Sequence, residues 1–321
     1  MADLGRRGRE TGASVRPVSE SLVDVSPRLI ADDLPPVGAF AFGCWRFTHT
    51  DVDRARAVLE AALAAGMNLV DNADVYGLDW GGAGFGANEE LLGRVLAADP
   101  GLRDRIVVAT KGGIVPGVPY DQSPRHLREA CEASLRRLGV DVIDLYQIHR
   151  PDLFAHPAAV AETLAALREE GKIRHVGVSN FTVAQTETLA RHLPFPLVTT
   201  QPEYSVAHLA PLRDGTLDLC LRTGLVPLAW SPLAGGRLVA DDAPGVRPEL
   251  VARLDELAAR EGVDRATVAY AFVLAHPARP VVISGTQNPE RIAAVARVAD
   301  VHLDRADCYA LIEASEGVPL P

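Results

Sequence analysis

Residues 67–77 read MNLVDNADVYG, and the interpretation of the whole chain depends on this stretch. Its apolar start predicts a short buried strand, because a brief continuous apolar run is typical of a strand covered on both faces. The strand ends in Asp71, and Tyr76 follows in the next loop. By itself the pattern also fits a helix-capping acid and a packed loop aromatic, because short motifs often match by chance. The rest of the chain has to decide between these interpretations.

Short runs rich in apolar and β-branched residues recur along the chain, and amphipathic helical patterns separate them. One predicted helix begins near Asp51 or Asp53, and another begins with Ser123 as its N-cap and ends at Gly139. No shift in composition or linker divides the chain into two halves. The predicted strands are GAFAFGCW, MNLVDNA, RIVVATKGG, VIDLYQIH, IRHVGVSN, LVTTQPEY, LVPLAWSP and RPVVISGT.

Strands that alternate with helices in this way fit either a doubly wound open sheet or a closed (β/α)8 barrel. An open sheet that binds a dinucleotide would carry G-x-G-x-x-G directly after its first strand, where this chain has CWRFTHT. The glycines of residues 81–86 follow the second strand and lack that spacing, so we expect a mobile loop that leads to Asn88 as the next helix cap. The sequence therefore predicts a single-domain TIM barrel.

The predicted barrel spans residues 18–321, after a poorly ordered N-terminal extension of residues 1–17. The segment LVDVSPRLI, residues 22–30, could form a short hairpin that closes the bottom of the barrel.

Composition excludes several classes of function. The net charge of −10 over 321 residues argues against a nucleic-acid surface but permits an anionic cofactor, which needs only a few local donors. The four cysteines form no CxxC pair, which favours a reducing compartment over a disulfide framework or a zinc site. No apolar stretch is long enough to cross a membrane, and the N-terminus lacks the apolar core of a secretory signal. We expect a cytoplasmic protein without a catalytic metal, and the sequence does not indicate its oligomeric state.

Polar residues stand at the ends of consecutive strands, where a barrel of this type has its active site. Asp71 and Tyr76 follow the second strand, Lys111 ends the third and His149 follows the fourth. A tyrosine is protonated at neutral pH and can give its proton to a forming alkoxide. A nearby lysine lowers the pKa of the phenol, an aspartate compensates the buried lysine, and a histidine can donate to a carbonyl oxygen. None of these groups supplies a hydride, so redox chemistry here would require a cofactor.

The chain resembles the aldo-keto reductase superfamily, in its bacterial NADP-dependent branch, from about residue 36 to residue 315. This resemblance implies a (β/α)8 barrel that reduces aldehydes or ketones to alcohols with NADPH, with NADH as a weaker donor. It also implies that Tyr76 is the proton donor and that Asp71, Lys111 and His149 complete a catalytic tetrad. The motifs that carry the resemblance are, in order, DNADVYG, ATKGG, DLYQIHRPD, GKIRHVGVSNF, QPEYS, AWSPLAGGRL and ISGTQNPERI.

The resemblance also assigns residues to the nicotinamide and pyrophosphate of the cofactor. Ser179, Asn180 and Gln201 match residues that hold the carboxamide, and Trp230 matches the aromatic residue that stacks on the nicotinamide ring. Further contacts are assigned to Gly43, Cys44, Trp45 and Asp71 near the first two strands, and to Ser231, Leu233, Gly235 and Arg237 beside the pyrophosphate.

At the adenosine end the resemblance assigns Thr286, Gln287 and Arg291 to the region of the 2′-phosphate. Gly285 belongs to the same segment but stands where many family members have a lysine. Residues 294 and 295, Ala and Val, replace a polar pair that often meets adenine. These departures weaken the expected preference for NADPH over NADH without reversing it.

Several residues have competing structural interpretations. Arg150 could contact a substrate carboxylate, although we favour an ion pair with Asp152. Trp45 and Trp80 either line the substrate mouth or are ordinary packing residues. Lys172, the only other lysine besides Lys111, is expected to be a solvated charge at a helix end.

Two other functions are compatible with the predicted fold. The first is a binding or regulatory subunit that holds NADP(H) with little turnover, which has no need of an intact proton donor. The second is a metal- or phosphate-dependent barrel isomerase or lyase, which would need ligand clusters that the sequence does not contain.

Overall fold

A computed structural model describes residues 20–240 and 242–321. Eight strands form a closed barrel in chain order, and each neighbouring pair is parallel, including the pair that joins the last strand to the first. This confirms the predicted (β/α)8 barrel. The predicted extension, residues 1–17, lies outside the described residues. The strands are β1 Phe40–Gly43, β2 Leu69–Asp71, β3 Val107–Gly112, β4 Ile143–Ile148, β5 Ile173–Ser179, β6 Thr199–Gln201, β7 Val226–Ala229 and β8 Val281–Ser284.

Helices alternate with these strands, as a parallel barrel requires. One α-helix follows each of the first six strands, two lie between β7 and β8, and two follow β8. The helices are α1 Val52–Ala64, α2 Ala87–Ala98, α3 Pro124–Leu138, α4 Pro157–Glu169, α5 Val183–His192, α6 Thr216–Thr223, α7 Pro248–Glu261, α8 Arg265–Leu274, α9 Pro289–Ala294 and α10 Arg305–Glu316.

Two of the predicted helix boundaries are confirmed at the level of individual caps. The Asp51 side chain accepts hydrogen bonds from the backbone N–H groups of Asp53 and Arg54 at the start of α1. The Ser123 side chain accepts one from His126 at the start of α3, which ends at Gly139 with a left-handed φ of 64°. These side chains satisfy backbone donors that a helix start otherwise leaves without partners.

The predicted cap at Asn88 is wrong. Helix α2 begins at Ala87, one residue earlier, after Gly86 adopts a left-handed φ of 83° that only glycine adopts at low cost. Asn88 therefore lies inside the first turn, where its amide donates to the carbonyl oxygen of Cys44, 2.6 Å away. The asparagine ties the end of β1 to α2 instead of capping the helix.

The predicted hairpin at residues 22–30 does not form. The backbone of this segment bonds to distant residues instead, with Leu22 donating to the carbonyl of Leu303. A single antiparallel bridge joins Arg28 to Val37, and the turn between them closes the bottom of the barrel. The turn contributes Ile30, Leu34 and Val37 to a buried cluster with the inward-facing strand residues Ala41, Leu69, Val107, Ala109, Leu145, Leu228, Val281 and Ile283.

A second and larger apolar cluster fills the space between the strands and the ring of helices. Burying a leucine, valine or isoleucine side chain contributes about 1.5–3 kcal/mol, so this layer holds each strand end in a fixed position. Within residues 20–240 and 242–321, no helix is both long and apolar enough to span a bilayer.

Candidate active site

Strand register brings the predicted tetrad together. Asp71, the last residue of β2, pairs with Ala109 of β3, and Lys111 lies two residues further along the same face. Lys111 pairs in turn with Gln147 of β4, and His149 follows Gln147 by two residues. Because side chains alternate between the faces of a strand, these residues share the inner face at the C-terminal end of the barrel.

Lys111 is at the centre of the site and is completely buried. Its ammonium group donates to Asp71 Oδ2 at 2.7 Å, to the carbonyl oxygen of Asn72 at 2.8 Å and to the Tyr76 hydroxyl at 3.2 Å. Burial by itself lowers the pKa of Lys111, but its contacts with Asp71 and Tyr76 outweigh burial and hold the pKa above its ordinary value. Lys111 is therefore a fixed positive charge beside the phenol.

The phenol of Tyr76 does not have the lowered pKa that the sequence predicted. Burial raises the pKa of Tyr76 above its ordinary value, and the Lys111 charge opposes that shift without reversing it. The hydroxyl is consequently protonated at neutral pH, as a proton donor must be. The positive charge of Lys111 lowers the free energy needed to remove that proton, because it stabilises the tyrosinate.

His149 is buried beside Tyr76, with the ring centroids 5.8 Å apart. Burial, together with the charges of Lys111 and Arg150, holds the pKa of His149 well below its ordinary value. The ring is therefore neutral at physiological pH and can donate one hydrogen bond from the nitrogen that carries its proton.

Two glutamines hold Asp71 in place. Gln147 and Gln201 each donate from Nε2 to Asp71 Oδ1, at 3.2 Å and 3.0 Å. The sequence assigned Gln201 to the cofactor and overlooked Gln147. Gln147 is a polar residue within the apolar strand IDLYQI, two residues before His149, and that position was the available signal.

The loop that carries Tyr76 is clamped at both of its ends. The backbone N–H of Asp74 donates to the carbonyl of Lys111 at 3.0 Å, and that of Asn88 donates to the carbonyl of Tyr76 at 3.4 Å. The Asn88 amide also contacts the carbonyls of Cys44 and Trp45. Asn88 therefore links the tyrosine loop to the end of β1, a role that sequence reasoning missed because Asn88 was interpreted as a cap.

A cavity of about 1140 Å³ opens above the tetrad at the C-terminal end of the barrel. Asp71, Tyr76 and His149 line its floor together with most of the predicted cofactor residues. All predicted cofactor residues except Cys44 and Arg237 line it, namely Gly43, Trp45, Asp71, Ser179, Asn180, Gln201, Trp230, Ser231, Leu233, Gly235, Gly285, Thr286, Gln287 and Arg291.

Cys44 and Arg237 lie elsewhere. Cys44 follows β1 directly, and its side chain is completely buried in the larger apolar cluster between the strands and the helices. Arg237 is exposed and donates to the carbonyl of Ala234 in its own turn. Neither side chain contributes to the cavity wall.

The wall beside β5 and β7 is held in a defined geometry. Trp230 donates from its indole N–H to Asn180 Oδ1 at 3.0 Å, and the Asn180 amide donates to the hydroxyl of Ser179 at 2.8 Å. Asn180, Ser231 and Ala234 all have left-handed φ angles of 52–58°, which cost energy in residues other than glycine. Strained backbone of this kind is often found at ligand-binding sites.

The far end of the cavity is open and contains an arginine that has no ion-pair partner within the described chain. A Cβ atom added at Gly235, Gly236 or Gly285 would have no neighbour within 4 Å, so a ligand can approach the backbone at these positions. Arg291 is exposed and, among the described residues, forms no ion pair. The floor of the cavity thus combines a protonated phenol with a fixed cation, and its far end has room for an extended anionic ligand.

The structure also bears on the residues for which the sequence left two interpretations. Lys172 is not simply solvated, since it contacts Glu132 and Glu170 at 2.7 Å each. Trp45 and Trp80 are both exposed with their rings edge to face, and Trp45 lines the cavity, whereas Trp80 is not among its lining residues. In the part of the chain that the structure describes, no group of three or more His, Cys, Asp or Glu side chains could hold a metal ion.

Comparison with known proteins gives a consistent result. The sequence profile of the Aldo/keto reductase family matches residues 39–316. A 6-dehydroglucose reductase of Novosphingobium aromaticivorans is 49% identical over 289 residues, covering 89% of this chain and 94% of the relative. Another 6-dehydroglucose reductase, from Agrobacterium fabrum, is 36% identical over 88% of this chain and 96% of its own.

Solved structures agree with these relatives. The glycerol dehydrogenase AKR11B4 from Gluconobacter oxydans superposes with a TM-score of 0.77 at 28% identity, covering 92% of this chain and 97% of that one. With its closed barrel and these similarities, the chain belongs to the aldo/keto reductase family.

Proposed function

We propose that this oxidoreductase reduces an aldehyde to an alcohol with NADPH, and that Tyr76 protonates the substrate oxygen. Members of the family act on small carbonyl compounds and generally use NAD(P)H. The observation that carries the proposal is the set of contacts that Lys111 makes, 2.7 Å to Asp71 and 3.2 Å to the Tyr76 hydroxyl, at the floor of an open cavity. A lysine that only stabilised the fold would not need a phenol hydroxyl among its partners.

The residues present fit a nicotinamide dinucleotide. Trp230 offers an indole held in place by Asn180, and the open glycines 235, 236 and 285 leave room for a phosphate backbone. Arg291 offers a cation without an ion-pair partner among the described residues at the end where a 2′-phosphate would lie, which supports NADPH over NADH. When bound, this cofactor supplies the hydride that the side chains cannot.

The side chains of this chain carry out the remaining steps. The substrate carbonyl oxygen accepts hydrogen bonds from the Tyr76 hydroxyl and from neutral His149, which orient it in the cavity. As negative charge develops on that oxygen, the Tyr76 proton moves to it. Lys111 stabilises the tyrosinate that remains, and Asp71 holds Lys111 in position.

The names of the relatives support a narrower substrate. Two of them are 6-dehydroglucose reductases. We infer that this chain likewise reduces 6-dehydroglucose, a sugar whose C6 carries an aldehyde in place of the primary alcohol. The alternative, a cofactor-binding subunit with little turnover, requires no proton donor at Tyr76.

Tyr76→Phe tests the proposal directly, because it removes one oxygen and keeps the ring. We expect kcat for aldehyde reduction to fall about 10²–10⁴-fold, the usual contribution of a positioned general acid. NADPH affinity should remain close to that of the wild type, since the hydroxyl acts on the substrate oxygen. The measurements are steady-state NADPH oxidation with 6-dehydroglucose and cofactor titration by intrinsic fluorescence.

Tyr309→Phe provides the matched control, because Tyr309 is half exposed on α10 and away from the cavity. It should turn over aldehydes as the wild type does. A Tyr76→Phe enzyme within a few-fold of wild-type kcat would disprove the role of Tyr76. A wild-type protein that binds NADPH but reduces no aldehyde would favour the binding subunit.

A further inference from the structure

Arg150, the residue after His149, does not form the ion pair with Asp152 that the sequence suggested. Both carboxylate oxygens of Asp152 accept backbone N–H groups instead, from Gln122 at 3.0 Å and from Phe154 at 2.9 Å. Asp152 therefore serves to tie two loops together. The carboxylate that is nearest to Arg150 along the chain is therefore not an ion-pair partner of its guanidinium.

The Arg150 side chain is half-buried in the cavity wall and lies 5.7 Å from the centre of the Trp230 ring. Across residues 20–240 and 242–321 it forms no ion pair and donates no hydrogen bond to another residue. A guanidinium carries five N–H donors in a fixed plane, and leaving them without partners in a partly dry site is costly. These donors are available to a ligand.

Of the other three arginines that line the cavity, two have partners and the third lies at a different end of the cavity. Arg46 donates to the carbonyl of Gly235 and lies 4.0 Å above the Trp80 ring. Arg265 pairs with Asp255 at 2.7 Å. Arg291 is in the region assigned to the adenosine end. Arg150 is the cavity arginine beside the reacting groups, because it adjoins His149 and its charge contributes to the low pKa of that ring.

An acidic residue faces the same cavity. Asp79 follows Tyr76 by three residues, lines the cavity and is exposed. Within the described chain its carboxylate makes no ion pair and accepts no hydrogen bond. The indole of Trp45, 41% exposed, provides an apolar surface in the same cavity wall. The cavity wall therefore combines a side chain that only donates, a side chain that only accepts and an aromatic surface.

We propose that Arg150 and Asp79 are specificity residues that bind hydroxyl groups on the carbon chain of the substrate, so that the enzyme prefers polyhydroxylated aldehydes to plain ones. A hydroxyl group both donates and accepts, so it can satisfy Asp79 and Arg150 alike. A carboxylated aldehyde would satisfy Arg150 but would meet the like charge of Asp79. This inference rests on the proposed reductase activity and assigns its substrate class to particular side chains.

The test compares two aldehydes with the same three-carbon skeleton, glyceraldehyde and propanal, which differ only in two hydroxyl groups. The kcat/KM ratio of glyceraldehyde to propanal is measured for the wild type, Arg150→Met and Asp79→Asn. Hydration of each aldehyde in water is a property of the substrate and cancels when variants are compared. We expect the ratio to fall about tenfold in Arg150→Met and several-fold in Asp79→Asn, mainly through KM, because lost ground-state contacts raise KM.

Arg168→Met is the matched control. Arg168 is an exposed arginine that lies 4.4 Å above the Phe195 ring and does not line the cavity. Its replacement also removes a guanidinium from an aromatic face, and it should leave the ratio unchanged.

Three results would overturn the inference. Equal losses for glyceraldehyde and propanal in Arg150→Met would mean that the arginine only positions Trp230. A loss confined to succinate semialdehyde, measured against butanal, would mean that Arg150 binds an anionic group instead of hydroxyls. Failure of the wild type to reduce 6-dehydroglucose as well as propanal and glyceraldehyde would refute the proposed function and this inference with it, whereas the first two results leave that function standing.

Discussion

Lys111 keeps a positive charge in a part of the barrel that water does not reach. The free energy of placing an isolated ammonium group there would be prohibitive, so its partners Asp71, Asn72 and Tyr76 must all be present. The contacts that offset the free-energy cost of burying the ammonium group also hold its charge beside the phenol. Under the proposed mechanism, stability and catalysis therefore depend on one set of contacts at this residue.

Lys111→Met should abolish most of the activity and also destabilise the protein. Removing one member of a buried ion pair costs about 3–5 kcal/mol, because the other charge is left without compensation. Here Asp71 would retain only its hydrogen bonds from Gln147 and Gln201. The measurements are steady-state reduction and the free energy of unfolding in urea.

The protein has one other lysine, which provides the control. Lys172 forms its ion pairs at the surface, where such pairs contribute about 0–1 kcal/mol, so Lys172→Met should alter stability little and activity not at all. Comparable behaviour of the two variants would show that the position of Lys111 has no special role.

Arg291 allows a residue-level test of cofactor choice. If its guanidinium pairs with a 2′-phosphate, Arg291→Ala should weaken NADPH binding roughly tenfold or more, since a charge-assisted contact contributes about 1.5–3 kcal/mol. NADH, which lacks that phosphate, should bind almost as before. Fluorescence titration of both cofactors measures this, and the control is Arg305→Ala, which replaces an exposed arginine of α10. Equal losses for both cofactors would remove the assignment.

At the scale of the strand, the sequence was informative because all strands of a parallel barrel end on the same side. The end of each strand in the sequence therefore predicts which residues lie near each other. A polar residue at the end of an apolar run has to lie at the rim, so the sequence alone suffices to place Asp71, Lys111 and His149 together. Gln147 was missed because His149, two residues later, was taken as the polar residue at the end of its strand, although Gln147 lies at the same level as Lys111. Its partner Asp71 is in β2, and only the register of the barrel relates the two.

The sequence could not predict which loops contact each other. Asp152 is the nearest carboxylate to Arg150 along the chain, which made an ion pair the simplest expectation. The backbone donors that Asp152 accepts belong in part to Gln122, in a loop after a different strand. Which loops approach each other depends on the closure of the whole barrel, and no local pattern encodes it.

Helix α5 offers a prediction at the scale of one element. The Thr182 hydroxyl accepts from the backbone N–H of Gln185, and the Gln185 side chain accepts from that of Thr182, which together form a capping box. Thr182→Ala should therefore lower the free energy of unfolding by about 1 kcal/mol. Thr188→Ala, at an exposed position inside the same helix, should cause no loss, because alanine is the better helix former. Urea denaturation compares them, and equal destabilisation would refute a capping role for Thr182.

At the scale of the whole molecule, the ring of helices seals polar groups inside the protein as well as apolar ones. Asp74, at the start of the tyrosine loop, is buried, and neither of its carboxyl oxygens has a hydrogen-bond partner among the described residues. Glu89 of α2, which bonds Thr110 and Arg137, is buried beside it. Burial, and next the charge of Glu89, raise the pKa of Asp74 well above its ordinary value, and Arg137 and Lys111 oppose this only in part.

This raised pKa makes the stability of the protein depend on pH in a defined direction. An acid whose pKa is higher in the folded protein stabilises the fold fully only below its unfolded-state pKa, and that contribution is lost as the pH rises through the folded-state pKa. A tenfold difference in acid dissociation between the folded and unfolded states corresponds to about 1.4 kcal/mol. Between pH 5 and pH 8 the wild type should therefore lose stability through Asp74, and Asp74→Asn, which cannot ionise, should not.

The measurement is the free energy of unfolding in urea at pH 5 and at pH 8 for the wild type, Asp74→Asn and Asp300→Asn. Asp300 is exposed, so its replacement removes one carboxylate without altering a buried acid, and its variant should follow the wild-type pH dependence. The decrease between pH 5 and pH 8 should be smaller in Asp74→Asn by roughly 1 kcal/mol or more. If Asp74→Asn loses as much stability as Asp300→Asn over this interval, Asp74 is ionised in the folded protein and the buried cluster is charged throughout.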